Sequence, residues 1–506
     1  MRRWSLLIVF VVLSLFSCAG VDHRAATGPV DLTILHVNDT HGRVLPYLEK
    51  TVDPASNVSG SAYLAALVEQ ERARNPQGTL LLSAGDMFQG TPISNVFRGE
   101  PMIAAMNAIG FDAMALGNHE FDWGMDALQA LRQKALFPFL TANIADSAGK
   151  GPAGAVPYVV VERKGLKIAV IGLTTTEVAY TTKPGYVRDL KVLKPETVLP
   201  GLVQRVRSEG ARMVVVLSHI GFEEDKTLAR AVDGIDVIVG GHSHTAVKEP
   251  VRVGRTVVVQ AGWNGIYLGT LRCRLNPEAG EDARLSAEGG LTLVSAGPGR
   301  PYDGKVAQMI EAYNVKIKTE FAEVVGETAV DLITSKTSET NIGNLMTDAM
   351  REAANADIAF QNSGGFRVNL PKGKLTMEHV YTLLPFDNTL VSMDLPGSAV
   401  LALLEQSGGG EYGFLQMSGA SVAYDMTKPA GSRVMRALVS GKPLDPARTY
   451  RVATNDFAAS GGDRLLPFKE GRNLVYGDEL RDVFVAYLKG RSPVSPGVEG
   501  RIVVNR

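Results

Sequence analysis

Five short segments of the chain gather the residue types that bind divalent metals. They read VNDTHG with Asp39 and His41, SAGDMFQG with Asp86, LGNHEFDWG with Asn118, His119 and Asp122, VVLSHIG with His219, and VGGHSHT with His242 and His244. The chain has 8 histidines, and five of them fall here, a concentration that chance scatter would hardly produce. Two cations held close together repel, so they need a shared carboxylate between them and nitrogen or oxygen donors on their outer sides. Asp86 is the candidate bridge. Asp39, His41 and His244 then complete one metal, and Asn118, His219 and His242 the other. Such mixed donors suit zinc, manganese or iron.

Each motif closes an apolar run: DLTILHVND, GTLLLSAGD, DAMALGNHE, MVVVLSHI and IDVIVGGHSH. A strand that ends in a turn delivers the next side chains to the carboxyl edge of a sheet, where open α/β folds collect ligands. Helical stretches near SAYLAALVEQERAR, PMIAAMNAIG and VLPGLVQRVRS lie between the runs, which predicts a layered α/β domain over 30–295. The Gly- and Pro-rich SAGPGRPYDG ends it, and a linker with a connecting helix occupies 296–324. A smaller α/β or α+β domain is expected over 325–506, with a helix at IGNLMTDAMREAA and strands at DIAFQN and LVSMDL.

With 506 residues, 45% of them hydrophobic, the chain can bury more than one core. Its 52 basic side chains balance 53 acidic ones without blocks of one sign, which argues against a nucleic-acid polymer as partner. The first residues, MRRWSLLIVFVVLSLFSCAG, have the charged and apolar regions of a secretory signal over 1–18. Leu15-Phe16-Ser17-Cys18 resembles a lipobox, which makes Cys18 the mature, lipidated N-terminus; ordinary cleavage after Ala19 is the alternative. Residues 19–29 then form a tether. The expected location is outside the cytoplasm, in the periplasm or anchored to the outer membrane of a Gram-negative host. The only other cysteine is Cys273, so no intrachain disulfide framework is expected.

The order D-x-H, G-D, G-N-H-[DE], H and G-H-x-H over 39–244 resembles the calcineurin-like metallophosphoesterase superfamily. NHEFD and the second domain narrow the resemblance, over about 30–480, to the bacterial and animal 5′-nucleotidase family, which includes UDP-sugar hydrolases. The resemblance implies an α/β protein: an N-terminal layered β-sandwich flanked by helices with a dinuclear metal site, and a smaller nucleotide-binding domain. It also implies a His119–Asp122 dyad, the carboxylate orienting the imidazole near the phosphate and leaving oxygen, with a metal-bound hydroxide as nucleophile and no phosphoenzyme.

FQNSGGFR resembles the family's N-G-G-G-[IF]-R loop, which gives Asn362 a base or sugar and Arg367 a phosphate or ribose. LPFDN contributes Phe386 and Asn388, and NDFAASGGD contributes Phe457 and Asp463. Two phenylalanines from separate loops can sandwich different bases, while Asp463 accepts from ribose hydroxyls. Two departures stand out. Ser363 replaces a glycine, and ETNIGNLM carries Asn341 and Asn344 where well-known relatives have an arginine, which removes a cationic anchor for di- and triphosphates.

The implied activity is hydrolysis of nucleoside 5′-monophosphates, followed by UDP-sugars or 2′,3′-cyclic nucleotides. The paired phenylalanines argue against sulfur-carrier adducts, and the full ligand set argues against a catalytically silent surface nucleotide-binding protein. His36 reads as a strand histidine, His23 and His379 as surface residues, and Glu120 as a local cap. With metals on one domain and the base clamp on the other, turnover requires the domains to close or rotate about 295–325.

Overall fold

The computed structural model describes residues 28–280, 283–410 and 412–505. The expected signal, Cys18, His23 and most of the tether lie outside them. No helix among the described residues is long and apolar enough to cross a membrane.

The first domain is built on two six-stranded sheets. One places Val30–Val37 beside Thr79–Ser83, Ala113–Ala115 and Phe139–Leu140; the other places Val237–Gly240 and Met213–His219 beside Leu166–Thr174. Strands such as MVVVLSH are buried along their whole length, as expected of parallel strands covered on both faces. Between the sheets pack Leu32, Ile34, Leu80, Leu82, Val215, Leu217, Val237 and Val239. Helices cover the two outer faces over separate cores. The architecture is thus the expected layered β-sandwich flanked by helices.

This topology explains the placement of the five motifs. The strands Val30–Val37, Thr79–Ser83 and Ala113–Ala115 run parallel, as do Leu166–Thr174, Met213–His219 and Val237–Gly240. Their carboxyl ends therefore share one rim of the sandwich, and every motif lies at or just past one of these ends. The helix Gly304–Phe321 forms where the connecting helix was expected. It is no free spacer, since Val306, Ile310, Ile317 and Phe321 belong to the same core as the first domain's helices.

The second domain centres on a five-stranded sheet ordered Leu415–Ser418, Ile358–Asn362, Thr449–Asn455, Thr389–Pro396 and Arg472–Glu479. Ile358–Asn362 and Thr449–Asn455 are parallel, whereas Thr389–Pro396 is antiparallel to the latter. The FQNSGGFR turn, the start of NDFAASGGD and the LPFDN loop consequently meet at one edge. Thr340 caps the helix Asn341–Ala353 by accepting from the Gly343 N–H at 3.0 Å, which fixes the chain entering that helix.

Candidate metal centre and substrate cleft

At the rim of the sandwich three groups of donors converge, each with its ligand atoms within 4.8 Å of one another: Asp39, His41 and His244; His41, Asp86 and His119; Asp86, His219 and His242. Asp86 is common to two of them, between the triads expected for the two metals. The Nε2 atoms of His41 and His244 stand 3.0 Å apart, with Asp39 Oδ1 3.4 Å from the latter. On the other side Asp86 Oδ2 lies 3.2 Å from His219 Nε2.

Several contacts aim these donors. His219 Nδ1 donates to the Ala84 carbonyl at 2.7 Å and His41 Nδ1 to the Gln89 carbonyl at 3.2 Å, which turns each Nε2 lone pair inward. Asn118 Nδ2 donates to the Thr181 carbonyl at 3.4 Å, while its buried Oδ1 and His219 Nε2 have no hydrogen-bond partner. Buried polar atoms without partners are costly, and a cation would satisfy both. The donor set therefore fits divalent metals. Backbone geometry agrees, because Asp39, His41, Asp86, His242 and His244 all have positive φ, between 48° and 74°. Such strain, about 1–3 kcal/mol per residue, persists where the surroundings over-determine it, typically at functional sites.

Glu120 is a local brace, as expected. Its carboxylate accepts from the backbone N–H groups of Asp86, Met87 and Gly117, each within 2.7–2.8 Å, and so holds the turn that presents Asp86. Gly117 is required beside it, since a Cβ there would lie 2.1 Å from Asp86 Oδ1.

His119 and Asp122 form a pair, with Nδ1 2.6 Å from Oδ2. Burial lowers the His119 pKa, yet the Asp122 and Asp86 carboxylates outweigh it and carry the imidazole above its ordinary range. Its Nε2 faces the metal rim, 3.9 Å from Asp86 Oδ2. Deeper in the sheet, His36 is a buried strand residue, pushed down to about 4 by burial. His379 departs from expectation: it is half-buried and completes a capping box with Thr376 at the start of Met377–Leu383.

The second domain closes over this rim and encloses a cavity of about 420 Å³, within the range of small-molecule sites. Asp86, Asn118, His119, Asp122, His242 and His244 line one side, and Asn362, Arg367, Phe386, Asn388, Phe457 and Asp463 the other. Arg367 reaches across, its Nη2 3.4 Å from His41 Nε2. Phe386 stacks on His119 with centroids 5.7 Å apart, beneath the Arg367 guanidinium. The Asn362 amide is engaged with its neighbours, donating to Asp463 Oδ2 at 2.8 Å and accepting from Asn455 at 2.9 Å. Burial pushes Asp463 up to about 6, against the Asn362 bond and the Lys336 cation.

Both sequence departures have structural explanations. Ser363 donates its hydroxyl to the Phe414 carbonyl, so it serves the turn. Neither Asn341 nor Asn344 lines the cleft, whereas Lys336 does, together with Arg367. Asn341 instead bonds the backbone of Asp331 and Ile333, and Asn344 bonds Glu339 and the Gly497 carbonyl, so these two hold the entry to the helix.

Sequence reasoning also missed Glu177, which lines the cleft, accepts from the Tyr412 hydroxyl at 2.9 Å and lies 3.8 Å from His242 Nε2. Its one local sign is the polar TTTE run after an apolar strand.

A family model described as calcineurin-like phosphoesterase matches residues 32–246, and one described as 5′-nucleotidase, C-terminal domain, matches 324–470. Human 5′-nucleotidase is 33% identical, the alignment covering 94% of this chain and 91% of that protein. The trifunctional nucleotide phosphoesterase YfkN of Bacillus subtilis is 31% identical over 93% of this chain and 35% of its own length. Among solved structures, a 5′-nucleotidase precursor from Thermus thermophilus superposes with a TM-score of 0.87 at 36% identity, covering 94% of this chain and 99% of that one.

Proposed function

The chain belongs to the 5′-nucleotidase family of calcineurin-like phosphoesterases, hydrolases of phosphate esters, and from that premise we propose that it converts nucleoside 5′-monophosphates to nucleoside and phosphate. The observation that carries this reading is the shared cavity, with the metal-type donors on one wall and Phe386, Phe457 and Asp463 on the other.

Asp39, His41 and His244 would hold one divalent ion, Asn118, His219 and His242 a second, and Asp86 both. When bound, such ions supply Lewis acidity and make hydroxide accessible near neutral pH. The chain's own residues do the rest. Arg367, beside His41, binds the phosphate oxygens and faces the charge that builds on them. His119, held by Asp122, donates a proton to the departing ribose oxygen. Phe386 and Phe457 take the base and Asp463 the ribose hydroxyls, while the second domain covers the rim and limits water.

A second reading, UDP-sugar hydrolysis, draws support from Lys336, which adds a cation to Arg367 in the same cleft and suits a second phosphate. An assay of metal-loaded protein against AMP, UMP, UDP-glucose, 2′,3′-cyclic AMP and glycerol phosphate should rank AMP or UMP first. A preference for glycerol phosphate would overturn the nucleotide reading, and a preference for UDP-glucose would favour the second. Asp86→Ala should lose both metal and activity.

The apolar N-terminus and its LFSC sequence support export with a lipid on Cys18. Cys18→Ala should convert a detergent-extracted protein to a freely soluble one. An unmodified mature chain beginning at Gly20 in mass spectrometry would rule the lipid out.

A further inference from the structure

One short segment of the first domain touches both the dyad and the base clamp. Between the helices Val178–Thr181 and Pro184–Val187, the buried Thr182 donates its hydroxyl to Asp122 Oδ1 at 2.7 Å, the oxygen that His119 leaves available. The next residue, Lys183, crosses to the second domain. Its Nζ donates to the Asp387 carbonyl at 3.0 Å and pairs with Asp456 Oδ2 at 3.0 Å. Asp387 directly follows Phe386, and Asp456 directly precedes Phe457.

Asp456 strengthens the junction by accepting from the Thr389 N–H at 3.1 Å through its other oxygen. On the far side of Phe386, Asn95 of the first domain donates to the Pro385 carbonyl at 2.6 Å. The Phe386 loop is thus held on both flanks by first-domain side chains, and its ring rests on His119. The contacts form a closed circuit: His119 to Asp122, Asp122 to Thr182, Thr182 along the chain to Lys183, Lys183 to the two phenylalanine loops, and Phe386 back to His119.

We propose that Lys183 is a specificity-determining residue and Thr182 a positioning residue, which together couple seating of a base between the two loops to alignment of the His119–Asp122 dyad. The proposal rests on the nucleotidase reading. An ammonium that bridges the two loops fixes the spacing between them, and a base seated between the phenylalanines depends on that spacing. Holding Lys183 then holds its neighbour Thr182 against Asp122. A phosphate ester without a base draws no benefit from this route.

The test compares kcat and KM for AMP and for p-nitrophenyl phosphate in wild type, Lys183→Met, Asp456→Asn and the double variant, all metal-loaded. Lys183→Met should lower the ratio of kcat/KM for AMP to that for p-nitrophenyl phosphate about tenfold, and the double variant should be no worse than the more affected single one. Thr182→Val should lower kcat for both esters with little change in KM, and Thr182→Ser should restore it. An unchanged ratio in Lys183→Met, fully additive losses in the double variant, or failure of Thr182→Ser to rescue would each overturn the coupling. Wild-type protein that handled both esters equally would instead remove the nucleotidase reading, and the coupling with it.

Discussion

Asp463 carries the most informative single titration in the cleft. Burial lifts its carboxyl to about 6, so it is a carboxylate at neutral pH and becomes protonated as the pH falls through that value. Only the carboxylate has its full capacity to accept from ribose hydroxyls, so the loss lies on the acid side. KM for AMP should therefore rise roughly three- to tenfold between about pH 7 and pH 5, the scale of exchanging a charge-assisted hydrogen bond for a neutral one. KM for p-nitrophenyl phosphate, which has no ribose, should not follow it. Parallel curves for the two substrates would mean that Asp463 does not meet the ribose. At this scale, the candidate donors and their order were legible from sequence because each sits within a few residues of a strand end. Lys336 was not, because the loop that presents it has no repeating pattern.

At the scale of elements, the strand-to-turn transitions decide the site. Gly241, between Val237–Gly240 and His242, approaches the neighbouring turns so closely that a Cβ would lie 2.7 Å from the Ala84 carbonyl and 2.9 Å from His219 Nδ1. Those two atoms form the hydrogen bond that aims His219. Gly241→Ala should consequently weaken metal binding about 10- to 100-fold, the usual effect of disturbing a ligand's outer partner, while leaving far-ultraviolet circular dichroism unchanged. Metal titration followed by elemental analysis measures this, and full metal affinity in the variant would contradict the packing argument. The strands themselves were readable because buried parallel strands are continuous apolar runs. The affiliation of Gly304–Phe321 was not, since helical periodicity reveals an apolar face but not the domain whose core receives it.

At the scale of the whole molecule, the two domains meet through contacts that no local pattern encodes. Lys183 meets Asp387 across 204 residues of sequence and Asn95 meets Pro385 across 290, so neither pairing could be read before the domains were seen together. The helix Gly304–Phe321 packs with the first domain through Val306, Ile310 and Ile317, and its last ring, Phe321, also meets Tyr381 of the second domain with centroids 5.1 Å apart. The proposed division of labour follows this architecture: the first domain supplies the metal-type donors and the His119–Asp122 pair, and the second supplies Arg367 for the phosphate and the groups that select what is attached to it.

The most direct measurement of that division is the paired kinetics of Phe457→Ala and His119→Ala on AMP and p-nitrophenyl phosphate. Loss of one stacking face, about 1–3 kcal/mol, should raise KM for AMP at least several-fold in Phe457→Ala and leave KM for p-nitrophenyl phosphate within about twofold of wild type. His119→Ala should depress kcat for both esters, by about 10²- to 10⁴-fold if proton donation is its role. Equal impairment of both substrates by Phe457→Ala would contradict the account, because the second domain would then be supporting the metal centre or the fold rather than choosing the substrate.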